Sequence, residues 1–205
     1  MSIIKNVSQN RDCNFSKFII AGTVNLGKSL FMKKIKLLGE GEIEFNEIYD
    51  NYKPTIGAEF TIFNYEINNH LFRIQIWDIA GREPEKNKIC YFARGADTIL
   101  IFYNSYDRYS FDEAKKIYLK CYELYPKSIY ALISGKYDSP LKNQNKDNDF
   151  VSDEEALEFA YENNIIFSHI SNFEKYDNGI NQLLKTIFLK LIKIQENKLL
   201  YNSKF

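Results

Sequence analysis

The chain has 205 residues, 45% of them apolar, which is enough for one hydrophobic core and too few for two ordinary domains. Lysine plus arginine and aspartate plus glutamate both number 27, so the formal net charge is zero and neither a nucleic-acid backbone nor an anionic membrane surface is favoured as the main partner. Three widely spaced cysteines, Cys13, Cys90 and Cys121, read as reduced thiols of a cytosolic protein rather than a disulfide framework, and no C-x-x-C or His/Cys cluster points to zinc.

Residues 1–14 are polar and read as a flexible tail, with no apolar run long enough for a signal peptide or a membrane span. Residues 17–21 (KFIIA) read as a buried strand and 30–38 (LFMKKIKLL) as a helix. Between them, GTVNLGKS (22–29) fits the phosphate-loop spacing G-x-x-x-x-G-K-[ST]. Gly22 and Gly27 let successive backbone N–H groups turn inward toward phosphate oxygens, Lys28 supplies a point charge, and Ser29 offers a hydroxyl to Mg²⁺. A chance Gly/Lys/Ser turn would not be expected between a strand and a helix N-terminus, where the dipole favours anions.

Residues 39–54 carry glycine, acid and proline with no period and read as a mobile loop. Phe60–Ile67 and Leu71–Trp77 read as strands, joined through Asn68-Asn69-His70 as an antiparallel hairpin. The stretch 79–92 is polar and irregular, and 96–104 (ADTILIFYN) is a buried strand. Ser110-x-x-Glu113 reads as a capping box opening a helix to about Tyr125, and Ser152-x-x-Glu155 as a second one, for a helix to about Glu162. Residues 128–134 and 165–170 are strands, with a polar loop at 138–150 between the first of them and the second helix. In the last helix, Ile180, Leu183, Leu184, Ile187, Phe188 and Leu191 form a stripe expected to pack in the core. This order implies an α/β fold with a six-stranded, mostly parallel sheet, one antiparallel hairpin strand and helices on both faces. Ligands of such sheets sit at the carboxyl ends of the strands.

The candidate chemistry collects at those ends. Asp78 closes an apolar strand and can handle a metal, and Gly81 follows it with an N–H that can approach a γ-phosphate. Thr55 can give Mg²⁺ a second hydroxyl, although by itself it reads rather as an ordinary turn threonine after Pro54. Guanine presents two donors on one edge, so a carboxylate just past a strand end, Asp138 in GKYD (135–138), would select it, with the Lys136 stem over the base.

These residues resemble the Ras superfamily of small GTPases, the Rab branch in particular. The resemblance covers about residues 15–195 and rests on GTVNLGKS, Thr55 in PTIGAEF, WDIAGRE (77–83), FARGA (92–96), IFYNSYDRYSFDEA (101–114), GKYD and FSHISN (167–172). It implies a single P-loop NTPase (small G-protein) domain at 15–195 with a short C-terminal tail at 196–205, GTP or GDP with Mg²⁺ as ligands, and GTP hydrolysis to GDP and phosphate. Two loops, about 45–60 and 79–93, would be ordered by GTP and released on hydrolysis, with effector proteins reading the ordered form and an exchange factor resetting it. Asn25, Leu26, Gly27, Lys28, Ser29 and Leu30 would wrap the phosphates. Ser29 and Thr55 would coordinate Mg²⁺, with Asp78 behind a water, and Gly81 would sense the γ-phosphate. Lys136 and Asp138 would hold guanine, and the Ser171-Asn172-Phe173 segment would line it, with the Asn172 N–H facing O6 and Phe173 against the base or ribose. Phe45, Ile48 and Tyr49 are alternatives for the aromatic beside the base. The likeness implies a role in intracellular vesicle trafficking.

The chain departs from this pattern at several positions. Arg82 stands where the family has the glutamine that orients the attacking water, and Val24 stands where a small residue usually sits, so slow hydrolysis is expected. An alternative makes Arg82 a built-in cation for the transition state. Gly135 replaces the asparagine that begins the guanine motif. Losing that buried hydrogen-bonding side chain costs about 1–3 kcal/mol, on the order of ten- to a hundred-fold in affinity. The Asn172 side chain, in place of the usual alanine, could reach in to compensate. The terminal KLLYNSKF has no prenylation cysteine and residue 2 is serine, so no intrinsic lipid anchor is expected, and a cytoplasmic protein would reach endomembranes through partners. Two other classes compete: a non-hydrolysing scaffold that keeps the fold, and a nucleotide kinase, which the absence of an arginine-rich lid disfavours.

Overall fold

Strand β1 (Cys13–Ala21) is the axis of the molecule, with Phe18, Ile19, Ile20 and Ala21 fully buried. The computed structural model describes residues 13–40, 55–81, 87–135, 149–170 and 178–202. Helix α1 (Lys28–Glu40) follows β1, and then come β2 (Ala58–Ile67) and β3 (His70–Ile79). Helix α2 (Asn87–Phe92), β4 (Thr98–Asn104), α3 (Arg108–Leu124) and β5 (Ile129–Gly135) come next, then α4 (Asp153–Glu162), β6 (Ile166–Ile170) and α5 (Asn178–Asn202). The strands form one six-stranded sheet in the order β2-β3-β1-β4-β5-β6. Only β2 runs antiparallel to its neighbour; β3, β1, β4, β5 and β6 pair in parallel. The hairpin turns through Asn68 and Asn69 at φ 51° and 64°, both left-handed, which is the two-residue turn that matches strand twist.

Period-two alternation sends each strand's side chains to opposite faces. Phe18 and Ile20 of β1 and Leu100 and Phe102 of β4 join Phe31, Met32 and Ile35 of α1 and the α5 stripe in one core. Ile19 of β1 and Ile99, Ile101 and Tyr103 of β4 join Phe111, Ala114, Tyr118 and Cys121 of α3 in the other, together with Cys90 of α2 and Ala156 of α4. All six residues of the expected α5 stripe are buried. Phe188 is its centre, with ring centroids 5.8 Å from Phe18, 4.4 Å from Tyr65 and 4.9 Å from Phe72.

Four sequence expectations need correction. The irregular stretch expected at 79–92 contains α2, a six-residue helix of fewer than two turns that gives no periodic signal. The cap of α3 is Asp107, whose side chain accepts from the Ser110 N–H, and the helix is already under way at Arg108. The Ser110 hydroxyl instead donates to the Asp107 carbonyl at 2.7 Å and accepts from the Asn104 N–H at 2.9 Å. Ser152 does cap α4, accepting from the Glu155 N–H at 3.2 Å. At the ends, β1 begins at Cys13, inside the tail expected at 1–14, and α5 runs to Asn202, through most of the tail expected at 196–205.

Phe188→Ala is expected to cost about 3–5 kcal/mol, because it removes a buried ring and leaves a cavity among three aromatic partners. Leu199→Ala, on a part of α5 that is 70% exposed, is expected to stay within about 0.5 kcal/mol. Urea unfolding of both variants checks this, and equal midpoints would contradict the packing described.

Candidate functional site

The loop between β1 and α1 is shaped by three positive φ angles: 138° at Gly22, 59° at Asn25 and 80° at Gly27. Asn25 is among the few side-chain-bearing residues that tolerate this region. Gly22 is demanded by space as well, since a Cβ there would lie 2.6 Å from the Phe102 carbonyl oxygen. The chain curls and enters α1 at once, with the Phe31 N–H donating to the Gly27 carbonyl at 2.9 Å. The helix dipole therefore points its positive end into the curl. Lys28 is only 6% exposed, and its Nζ spans the loop to donate to the Thr23 carbonyl at 2.6 Å. Burial lowers its pKa to about 8, and the Asp78 carboxylate pulls the other way. An anion in the curl would restore the full charge of this ammonium.

Asp78, near the end of β3, is fully buried. Its Oδ2 accepts from the Ser29 hydroxyl at 2.5 Å and from the Thr55 hydroxyl at 3.1 Å, and the two hydroxyls lie 3.1 Å apart. Three segments distant in sequence thus converge on one oxygen. Burial raises the carboxyl pKa; the Ser29 hydrogen bond, the Lys28 charge and the Thr55 hydrogen bond lower it, while Glu59 adds to the rise. The other oxygen, Oδ1, is buried with no hydrogen-bond partner among the described residues. An all-oxygen set of two hydroxyls and a carboxylate with an unsatisfied oxygen suits a hard divalent cation such as Mg²⁺, so these residues fit the metal the sequence implied.

Gly81 brings the chain after β3 onto the phosphate loop, where a Cβ would lie 2.5 Å from the Thr23 backbone and 2.6 Å from the Val24 nitrogen. Val24 itself is 38% exposed at the rim of the curl. Leu26 is buried beneath it, whereas Asn25 is exposed; Ser29 and Leu30 are partly buried in the first turn of α1. The structure therefore brings Gly22, Asn25, Leu26, Gly27, Lys28, Ser29, Leu30, Thr55, Asp78 and Gly81 to one place. Arg82, Lys136, Asp138, Ser171, Asn172 and Phe173 lie outside the described residues, as do Phe45, Ile48 and Tyr49. β5 and β6 end side by side, Gly135 opposite Ile170, so the strands that precede the two segments expected to hold the base are neighbours.

Gly135 has a steric role that the motif comparison did not reveal. A Cβ at this position would lie 2.6 Å from the Leu26 carbonyl oxygen, so the end of β5 abuts the phosphate loop backbone to backbone.

The sequence reading also missed an aromatic row. Phe60 stacks on Trp77 across the hairpin at 5.1 Å, and Trp77 meets Phe92 of α2 at 5.9 Å. Lys17 holds the far end of this row, donating from Nζ to the carbonyls of Phe92 at 2.7 Å and Arg94 at 2.9 Å while lying 5.6 Å from the Trp77 ring centre. Phe60 is 53% exposed, so the row forms part of the surface between the two expected switch segments. Its sequence signal was the outward-facing aromatic position on β2, opposite Trp77 in register.

Gly135→Ala is expected to destabilise the protein by about 1–3 kcal/mol, since the contact it violates is backbone and cannot swing away. Gly135→Asn, which restores the family residue, is expected to be no better. Urea midpoints check both, and wild-type stability in either variant would show that the close approach is not a constraint.

Comparison with known proteins agrees with this geometry. The family model described as "Ras family" matches residues 17–193. GTP-binding protein ypt3 of Schizosaccharomyces pombe is 28% identical over 182 residues, covering 89% of this chain and 78% of the relative. Ras-related protein Rab-11B of Dictyostelium discoideum is 27% identical over 193 residues, covering 93% and 80%, and Ras-related protein RABF2a of Arabidopsis thaliana is 29% identical over 189 residues, covering 92% and 86%. With its phosphate loop, its Ser29–Thr55–Asp78 cluster and these relatives, the chain belongs to the Ras family of small GTPases, on its Rab branch.

Proposed function

We propose that this chain is a guanine-nucleotide switch of intracellular vesicle trafficking that hydrolyses GTP slowly. The observation that carries the reading is the convergence of Ser29 and Thr55 on Asp78, which joins the phosphate loop to the segment that a γ-phosphate would order. The N–H groups of the curl and Lys28 would hold the phosphates, and Ser29, Thr55 and Asp78 would hold Mg²⁺. Mg²⁺ held there would supply positive charge to the phosphates. Gly81 would report the γ-phosphate because its backbone already rests on Thr23 and Val24. Lys136 and Asp138 would select guanine, with Ser171, Asn172 and Phe173 along the base.

Slow hydrolysis follows from side-chain chemistry at two positions. A water-orienting group must accept a hydrogen bond from the attacking water, and the Arg82 guanidinium has five donors and no acceptor. Val24 places a branched side chain on the rim of the curl, where it would crowd both the water and an arginine supplied by an activating protein. Effectors would read the aromatic surface of Phe60, Trp77 and Phe92 as the switch segments order beside it. The protein would be cytoplasmic, recruited to endomembranes through such partners. Among the described residues, no helix is long and apolar enough to cross a membrane. A second reading, a fixed scaffold that hydrolyses nothing, draws on the two catalytic departures together with Gly135.

Two measurements test this. The double variant Arg82→Gln/Val24→Gly is expected to raise the single-turnover rate by about tenfold or more; an unchanged rate would mean that these residues are not what limits hydrolysis. Amide exchange across 55–60 and 87–93 is expected to differ between the GDP form and a form loaded with a non-hydrolysable GTP analogue. Identical protection in both would favour the scaffold.

A further inference from the structure

We infer that Cys90 and Cys121 are a redox pair that closes into a reversible disulfide and clamps α2 to α3. Their sulfurs lie 3.9 Å apart in the core between the two helices. The contact is braced, because the Tyr125 hydroxyl at the end of α3 donates to the Cys90 carbonyl at 2.8 Å and fixes the backbone of one cysteine against the helix that carries the other. Closing the bond requires the separation to shorten to about 2.05 Å, by side-chain rotation together with a shift of the six-residue α2.

The pair is also reachable. A cleft of about 10 Å³ is lined by Ile89, Cys90, Glu113, Lys116, Lys120 and Cys121. That is room for one water-sized molecule, and hence for the oxygen of a peroxide. Cys90 is 8% exposed and Cys121 is fully buried, so Cys90 meets the oxidant first. Burial raises the Cys121 thiol pKa, which keeps that sulfur protonated at rest. The co-reactant is a peroxide. The Cys90 sulfur takes one peroxide oxygen, becoming sulfenic acid and releasing water. The Cys121 sulfur then attacks the Cys90 sulfur, the S–O bond breaks, and its oxygen leaves as a second water, taking the Cys121 proton. Overall, two thiols and one hydrogen peroxide give one disulfide and two waters.

The consequence falls on α2, which follows Gly81 and contributes Phe92 to the aromatic row. A covalent tie to α3 would hold that helix in one position and so couple thiol oxidation to the surface beside the phosphate loop.

The test uses the full chain with Cys13→Ser, which removes the one other thiol, treated with hydrogen peroxide, alkylated, and compared with its reduced form. The expected result is a loss of two hydrogens in intact mass, no alkylation, and a single linked peptide containing residues 90 and 121, all reversed by dithiothreitol. Amide exchange over residues 87–92 is expected to slow by about threefold or more in the oxidised protein. Adding Cys90→Ser should abolish the linkage, and if that variant fails to fold, the first comparison stands alone. Free thiols after peroxide, irreversible sulfinic acid at Cys90, linkage only between chains, or linkage that leaves exchange over α2 unchanged would each overturn the inference.

Discussion

The site depends on a buried carboxylate. Asp78 sits at the end of a strand that is paired on both sides, where water cannot compensate its charge. Burying such a group is costly unless it is hydrogen-bonded and paired. Two hydroxyls and the Lys28 ammonium answer part of that demand, and they come from the phosphate loop and the segment before β2. The carboxylate therefore draws three parts of the chain together, and one of its oxygens is still without a partner. A divalent cation is the natural complement of that remaining oxygen. The Thr55 hydroxyl is tied to the same point, so under the proposed function a metal-bound phosphate would act on that segment.

A second constraint is the scarcity of room around the phosphate loop. Phe102, Leu26 and Thr23 each present a backbone carbonyl where a Cβ of Gly22, Gly135 or Gly81 would otherwise stand. Backbone packs on backbone at all three places, so the curl is held by β4, β5 and the chain after β3 together. This gives Gly135 two aspects. In the expected base motif it would be a lost hydrogen-bonding side chain, and in the sheet it is the residue that lets β5 end against Leu26. A family residue put back at one position of a changed framework need not restore the family's behaviour.

Much of this was legible in the sequence because each position does a job that few residue types can do. The phosphate loop, Asp78 and Gly81 were readable from chemistry and spacing and the α5 stripe from its period, whereas Thr55 stood out only through the family resemblance, since alone it reads as a turn threonine. The strands were readable as apolar runs, and the Asn-Asn turn from its left-handed preference. What escaped the reading depended on tertiary contacts. α2 is too short to show a period, and at the start of α3 two capping residues, Asp107 and Ser110, compete, with the nearer carboxylate taking the cap and the buried hydroxyl bonding to Asn104. The aromatic row needs cross-strand register to bring Phe60 beside Trp77, and the contact between Cys90 and Cys121 needs α2 to pack on α3. The clash at Gly135 appears only when β5 and the loop are placed together.

The measurement that bears most directly on this account is the nucleotide carried by the purified protein and its rate of release with and without a chelator. The protein is denatured, the released nucleotide identified, and release from the native form followed after adding EDTA. Guanine nucleotide that leaves much faster once Mg²⁺ is removed is the result predicted by a cation held at Ser29, Thr55 and Asp78. A protein that neither retains nor binds guanine nucleotide, or one whose release is indifferent to EDTA, would contradict it.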